Sequence, residues 1–104
     1  MARKAKSGPS GDPEILILAS LAEGPKHGYA IMLDVNAFAG VELGPGTLYS
    51  AITRLVERSW IKPGAERGRQ RPYRLTAAGM QHLAEQLKQM RRVSKIGLGR
   101  LQTA

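Results

Sequence analysis

Cysteine is absent from this 104-residue chain, which excludes a disulfide framework and any cysteine-based zinc site. Histidine is almost as scarce: His27 and His82 stand far apart with no carboxylate pattern beside them, so neither a metal nor another cofactor is expected. No glycine-rich nucleotide fingerprint and no paired acid and base can be found, and these absences argue against an enzyme. Long apolar runs are missing too. The longest, Ile15 to Leu21, is interrupted by Ser20 and falls far short of the roughly 20 residues of a membrane-spanning helix. Arg3, Lys4 and Lys6 are not followed by an apolar stretch of signal-peptide character, so the expectation is a cytoplasmic protein without a membrane role. Acidic residues are the last shortage, with 8 Asp and Glu against 16 Lys and Arg, a formal charge of +8. Such an excess favours a nucleic acid, an anionic membrane or an acidic protein as partner. The length suits one small domain, for which self-association would bury additional surface.

What is present centres on Gly46-Thr47-Leu48-Tyr49-Ser50-Ala51-Ile52-Thr53-Arg54-Leu55-Val56. Leu48, Ile52, Leu55 and Val56 recur at helical spacing, leaving Thr47, Ser50, Thr53, Arg54 and Arg58 on other sides. Pro45 fits the first turn, where its missing N–H costs nothing. A helix of this kind can enter the major groove of DNA with its early residues near base edges. Thr47, Tyr49, Ser50 and Arg54 are the expected DNA-facing side chains, with Thr53 a further candidate and Arg58 peripheral. Two structural alternatives stand beside this reading: Thr47 could cap a later helix start, and Tyr49 could pack against the preceding helices.

Around this element the chain divides as follows. Residues 1–11 lack apolar periodicity and read as a flexible basic arm. Asp12-Pro13-Glu14 reads as a capped helix start, followed by the nearly all-round apolar Ile15 to Ala22, a helix expected at the centre of the core. A second helix is expected from about Gly28 to Ala39, stopped by Gly40, with His27 as a capping or packing residue at its start. The third covers about Pro45 to Arg58. Trp60-Ile61-Lys62 and Pro72-Tyr73-Arg74-Leu75 read as short strands. Between them lies a loop with Arg67, Arg69 and Arg71, suited to phosphates or a minor groove. Three helices and a two-stranded hairpin are the elements of a winged helix-turn-helix domain, here residues 12–76.

Thr76 is expected to cap a last helix over 77–96, before a C-terminal tail over 97–104 in which Gly97 and Gly99 mark fraying. Met80, Leu83, Leu87 and Met90, at spacings of three, four and three, form a seam suited to a partner helix. Its basic residues Lys88, Arg91, Arg92 and Lys95, and His82, read as solvated. The fold class is therefore mainly α with a small β-hairpin, a winged helix-turn-helix plus a C-terminal dimerisation helix.

Taken together, His27-Gly28-Tyr29, then Gly46-Thr47-Leu48-Tyr49 with Arg54-Leu55, then Arg71-Pro72-Tyr73-Arg74-Leu75-Thr76 with Ala78-Gly79 resemble the successive signatures of PadR-type transcriptional regulators, of the compact kind with a single C-terminal helix. The resemblance runs from about Pro13 to Leu87. It implies a homodimeric repressor whose winged domains bind a palindromic double-stranded DNA operator and release it in response to a small-molecule effector or a stress signal. It also implies that Ile15 and Leu18 of the first helix join Met80, Leu83, Leu87 and Met90 at the dimer interface. The chain departs from the family pattern at Ser59-Trp60, in place of a Gly-Leu type pair, and at Pro72-Tyr73, in place of paired tyrosines. It also has no aromatic residue on the last helix. Trp60 is expected to anchor the core, with an effector pocket as the alternative. The competing function is a winged-helix module for protein interaction or for non-specific, architectural DNA binding.

Overall fold

The computed structural model describes residues 11–65 and 71–103. Arg67, Arg69 and the basic arm up to residue 10 lie outside the described residues. The element order is α1 (Pro13–Leu21), α2 (Gly28–Ala39), α3 (Pro45–Glu57), β1 (Ile61–Pro63), β2 (Tyr73–Leu75) and α4 (Ala77–Thr103).

Helix α1 begins as its residues require: the Asp12 carboxylate accepts from the Glu14 amide at 2.9 Å, with Pro13 in the first turn. Its run of apolar residues buries Ile15, Leu16, Ile17, Leu18 and Leu21 together, so α1 is the axle on which α2, α3, α4 and β2 pack. A helix apolar all round has no exposed stripe to offer, which is why it sits at the centre. Ser20, the one buried polar residue among the described residues, is satisfied: its hydroxyl donates to Asp34 Oδ2 at 2.7 Å, and its carbonyl accepts from Lys26 Nζ at 2.6 Å. Lys26 also bonds Glu23 at 2.8 Å, so this cluster fixes the turn between α1 and α2. Gly40 ends α2 in the left-handed conformation, φ 68°, as expected of a glycine stop.

The hairpin is antiparallel, with Ile61 opposite Leu75, Lys62 opposite Arg74 and Pro63 opposite Tyr73. It is widened by an isolated bridge at the other edge of β2, where Lys26 and Tyr73 exchange backbone hydrogen bonds of 3.1 and 2.9 Å. Pro72 supplies no donor, yet its carbonyl accepts from the Gly64 amide at 2.7 Å, so the hairpin is closed from the other strand.

Helix α4 differs from expectation in two respects. It runs unbroken through Gly97 and Gly99 to Thr103 instead of ending near residue 96. Each glycine costs on the order of 1 kcal/mol of helix propensity, but the residues around them, Lys95, Leu98, Arg100, Leu101 and Gln102, are good helix formers, and the helix continues. Its start also folds back over the domain. The Thr76 hydroxyl caps the Gly79 amide at 3.0 Å, and its hydrogen bonds the Ser59 carbonyl at 2.6 Å. Leu83 is consequently buried in the domain's own core, together with Ile15 and Leu18. These three belong to the monomer's interior, whereas Met80 and Leu87 are exposed and Met90 is half-buried. His82 is likewise not simply solvated: its ring stacks on Trp60 with centroids 3.7 Å apart.

Candidate nucleic-acid interface

Helix α3 buries Leu48, Ala51, Ile52 and Leu55 and so turns its remaining sides outward. Gly44 is the N-cap and Pro45 begins the helix, so Thr47 is not the cap but an exposed residue of the first turn. Ser50, Thr53 and Glu57 recur at spacings of three and four along the exposed side. The Thr53 hydroxyl donates back to the Tyr49 carbonyl at 2.9 Å, which leaves its oxygen free only as an acceptor. Glu57, unassigned from sequence, continues the line at the end of the helix away from Gly44.

Tyr49 and Arg54 occupy opposite flanks. Tyr49 is half exposed, and the end of its ring lies against Gly28 at the start of α2: a methyl group at Gly28 would overlap the tyrosine hydroxyl and come within 2.8 Å of Cζ. The packing alternative, a ring buried with only its hydroxyl exposed, is not what is found: the hydroxyl end is the part set against α2, and the residue stays half exposed. Next to it, His27 holds the N-cap position without a side-chain cap bond, and its Nδ1 is buried without a hydrogen-bond partner. Arg54 is bound through Nε to Glu14 Oε2 at 2.7 Å, and Arg58 through Nη1 to Glu14 Oε1 at 2.7 Å. The Arg58 guanidinium lies 5.3 Å from the centre of the Trp60 ring, close enough for a cation–π contact. Trp60 therefore joins the end of α3 to α4, packed against the core as expected.

On the hairpin, Lys62 and Arg74 are directly opposite and both exposed. Like charges across a strand pair are unfavourable, and neither cation has an ion-pair partner among the described residues. Arg71 is exposed at the base of the same wing. Lys62 escaped the sequence reading, although strand alternation between buried Ile61 and half-buried Pro63 marks it as outward-facing. The exposed candidates are thus the polar side chains along one side of α3 and, separately, Lys62, Arg71 and Arg74 at the hairpin. A groove of about 510 Å³ opens between α2 and the turn leading into α3, lined by Met32, Leu33, Asn36, Glu42, Leu43 and Gly44.

Among the described residues no group of three or more His, Asp or Glu could hold a metal ion, and no helix is long and apolar enough to cross a membrane. Comparison with known proteins accords with the helix-and-wing geometry. A solved PadR family transcription regulator from Clostridium difficile R20291 is 26% identical, with a TM-score of 0.78 over 86% of this chain and 97% of that one. A transcriptional regulator from Clostridium thermocellum is also 26% identical, with a TM-score of 0.78 over 90% and 94% of the two chains. An uncharacterized 37.1 kDa protein in transposon TN4556 of Streptomyces fradiae is 44% identical over 85 residues, 82% of this chain. The chain spans about a quarter of that relative's length. The model of the transcriptional regulator PadR-like family matches residues 17–85. The chain belongs to the PadR-like family of transcriptional regulators.

Proposed function

We propose that the chain is a homodimeric, sequence-specific repressor that binds a palindromic operator through α3 and steadies itself on the duplex with its wing. The observation that carries this reading is the shared exposure of Thr47, Tyr49, Ser50, Thr53 and Arg54 on one helix beside the like-charged Lys62 and Arg74 of the hairpin. Short polar side chains and an arginine suit base edges and phosphates in a groove, and an exposed pair of facing cations is relieved by a polyanion. Arg67, Arg69 and Arg71 extend the same charge along the loop.

A second copy is favoured by α4. Beyond Met90 all its described residues are exposed, including Val93, Ile96, Leu98 and Leu101. Of these, Leu98 and Leu101 recur on the same side of the helix as Met80, Leu87 and the half-buried Met90, an apolar stripe of the kind that marks an interaction site. The proposed release signal is a small molecule or a stress condition. The groove beside Gly44 is suited to the small-molecule route, because a ligand there would touch the start of α3.

Selection of bound fragments from a randomised duplex pool at near-physiological salt tests the reading. Recovery of a two-fold-symmetric sequence, bound at least about a thousandfold more tightly than scrambled duplex, is the expected result. Binding that is salt-sensitive but indifferent to sequence would instead indicate an architectural role, and no duplex binding would point to a protein partner.

A further inference from the structure

Glu14 lies in the first turn of α1, forty residues before Arg54 in the chain, and its carboxylate bridges Arg54 of α3 and Arg58, the residue that caps the C-terminal end of α3. One oxygen accepts from Arg54 Nε and the other from Arg58 Nη1, each at 2.7 Å. The glutamate side chain is only 20% exposed, whereas the two arginines are 47% and 48% exposed. The three groups together keep one positive charge, so the surface stays attractive to a polyanion even with the carboxylate in place.

The atoms used by the two arginines differ in a way that matters. Arg54 is engaged through Nε, the inner edge of its guanidinium, and both of its Nη groups have no partner among the described residues. Arg58 is engaged through one Nη and is held a second time over the Trp60 ring, which is itself stacked on His82 of α4. Arg58 is therefore secured to the body of the domain, and Arg54 is secured only at its inner edge. A guanidinium held in this way has lost much of its rotamer freedom before any ligand arrives, so less entropy remains to be lost on contact.

We propose that Glu14 is a positioning residue for DNA recognition: it fixes Arg54 so that the two Nη groups form a pre-set donor edge for paired acceptors on the duplex, with Arg58 as the structural counter-cation. The acceptors are phosphate oxygens or the O6 and N7 atoms of guanine, both of which match a guanidinium edge. This rests on the operator reading above. It makes a prediction opposite in sign to simple electrostatics, under which deleting a carboxylate beside DNA strengthens binding.

The test measures the affinity of the full chain for the duplex recovered in the selection and for a scrambled duplex at one salt concentration. Glu14→Gln is expected to weaken binding to the selected duplex about tenfold despite the added positive charge, and to weaken it no further when Arg54 is already alanine. A loss confined to the selected duplex identifies a guanine edge, and an equal loss on both identifies phosphate. Unchanged or tighter binding by Glu14→Gln, or losses from Glu14→Gln and Arg54→Ala that add in full, overturns the proposal. Should Glu14→Gln fail to fold by circular dichroism, Arg54→Lys decides the matter: lysine keeps the charge but has no second edge, so a similar tenfold loss is expected and unchanged binding overturns the proposal. A wild-type chain that selects no duplex removes the operator reading together with this inference. A selective wild type with an indifferent Glu14→Gln removes the inference alone.

Discussion

Ser59 occupies the left-handed region with φ 63°, immediately after α3. Its amide bonds the Val56 carbonyl at 2.9 Å and the Trp60 amide bonds the Leu55 carbonyl at 3.0 Å, the paired bonds that close a helix end at a position glycine usually holds. A serine there bears a Cβ that disfavours this backbone. Ser59→Gly is expected to stabilise the domain by about 0.5–1 kcal/mol after allowing for the greater freedom of the unfolded chain, measured as a raised urea midpoint. Gly79 behaves in the opposite way. Judged from helix propensity alone, Gly79→Ala should gain on the order of 1 kcal/mol. The added methyl would instead overlap the Trp60 carbonyl oxygen, a backbone atom fixed by its bond from the Thr76 amide. A loss of about 1–3 kcal/mol is expected, and a stabilised variant in the same denaturation experiment would contradict the close crossing of α4 over this turn. The departure at Ser59 stands out only against the family's Gly-Leu type pair. The need for Gly79 could not be noticed in the sequence, because its reason lies nineteen residues upstream in a tertiary contact.

Elements were more legible than their contacts. Caps and breakers are local, so Asp12, Pro13, Gly40, Pro45 and Thr76 placed the helix boundaries where α1, α2, α3 and the start of α4 are found. Periodicity also showed that the last helix has an apolar side, but not what covers it. Leu83 and Leu87 are four residues apart in one seam, yet Leu83 is 5% exposed and Leu87 44%, because α4 crosses α1 and then leaves the domain. Substitution separates the two roles. Leu87→Glu is expected to dissociate the proposed dimer while leaving the helical circular dichroism intact, and Leu83→Glu to unfold the domain by burying a charge without a partner. Sedimentation velocity paired with thermal unfolding checks both. A Leu87→Glu variant that stays dimeric would place the interface elsewhere. Helix α4 continues past residue 96 for a related reason: two glycines are a local signal, and a favourable set of neighbours outweighs them.

At the scale of the whole molecule, the charge of +8 is unevenly employed. Arg54 and Arg58 share one carboxylate, whereas Lys62 and Arg74 face each other on the wing. Composition could announce a polyanionic partner, and motif order could announce a PadR-like regulator, but neither could locate the Arg54–Glu14 pair or the stack of Arg58, Trp60 and His82. Such pairings join distant segments and leave no period in the sequence. A dimeric operator-binding protein of this kind must set two α3 helices on the same face of the duplex about one turn apart. Hydroxyl-radical footprinting of the selected duplex measures this directly. Two protected half-sites related by a dyad, with centres about 10 base pairs apart or a multiple of that spacing, are the predicted result, whereas a single protected segment or uniform protection along the duplex would contradict the account.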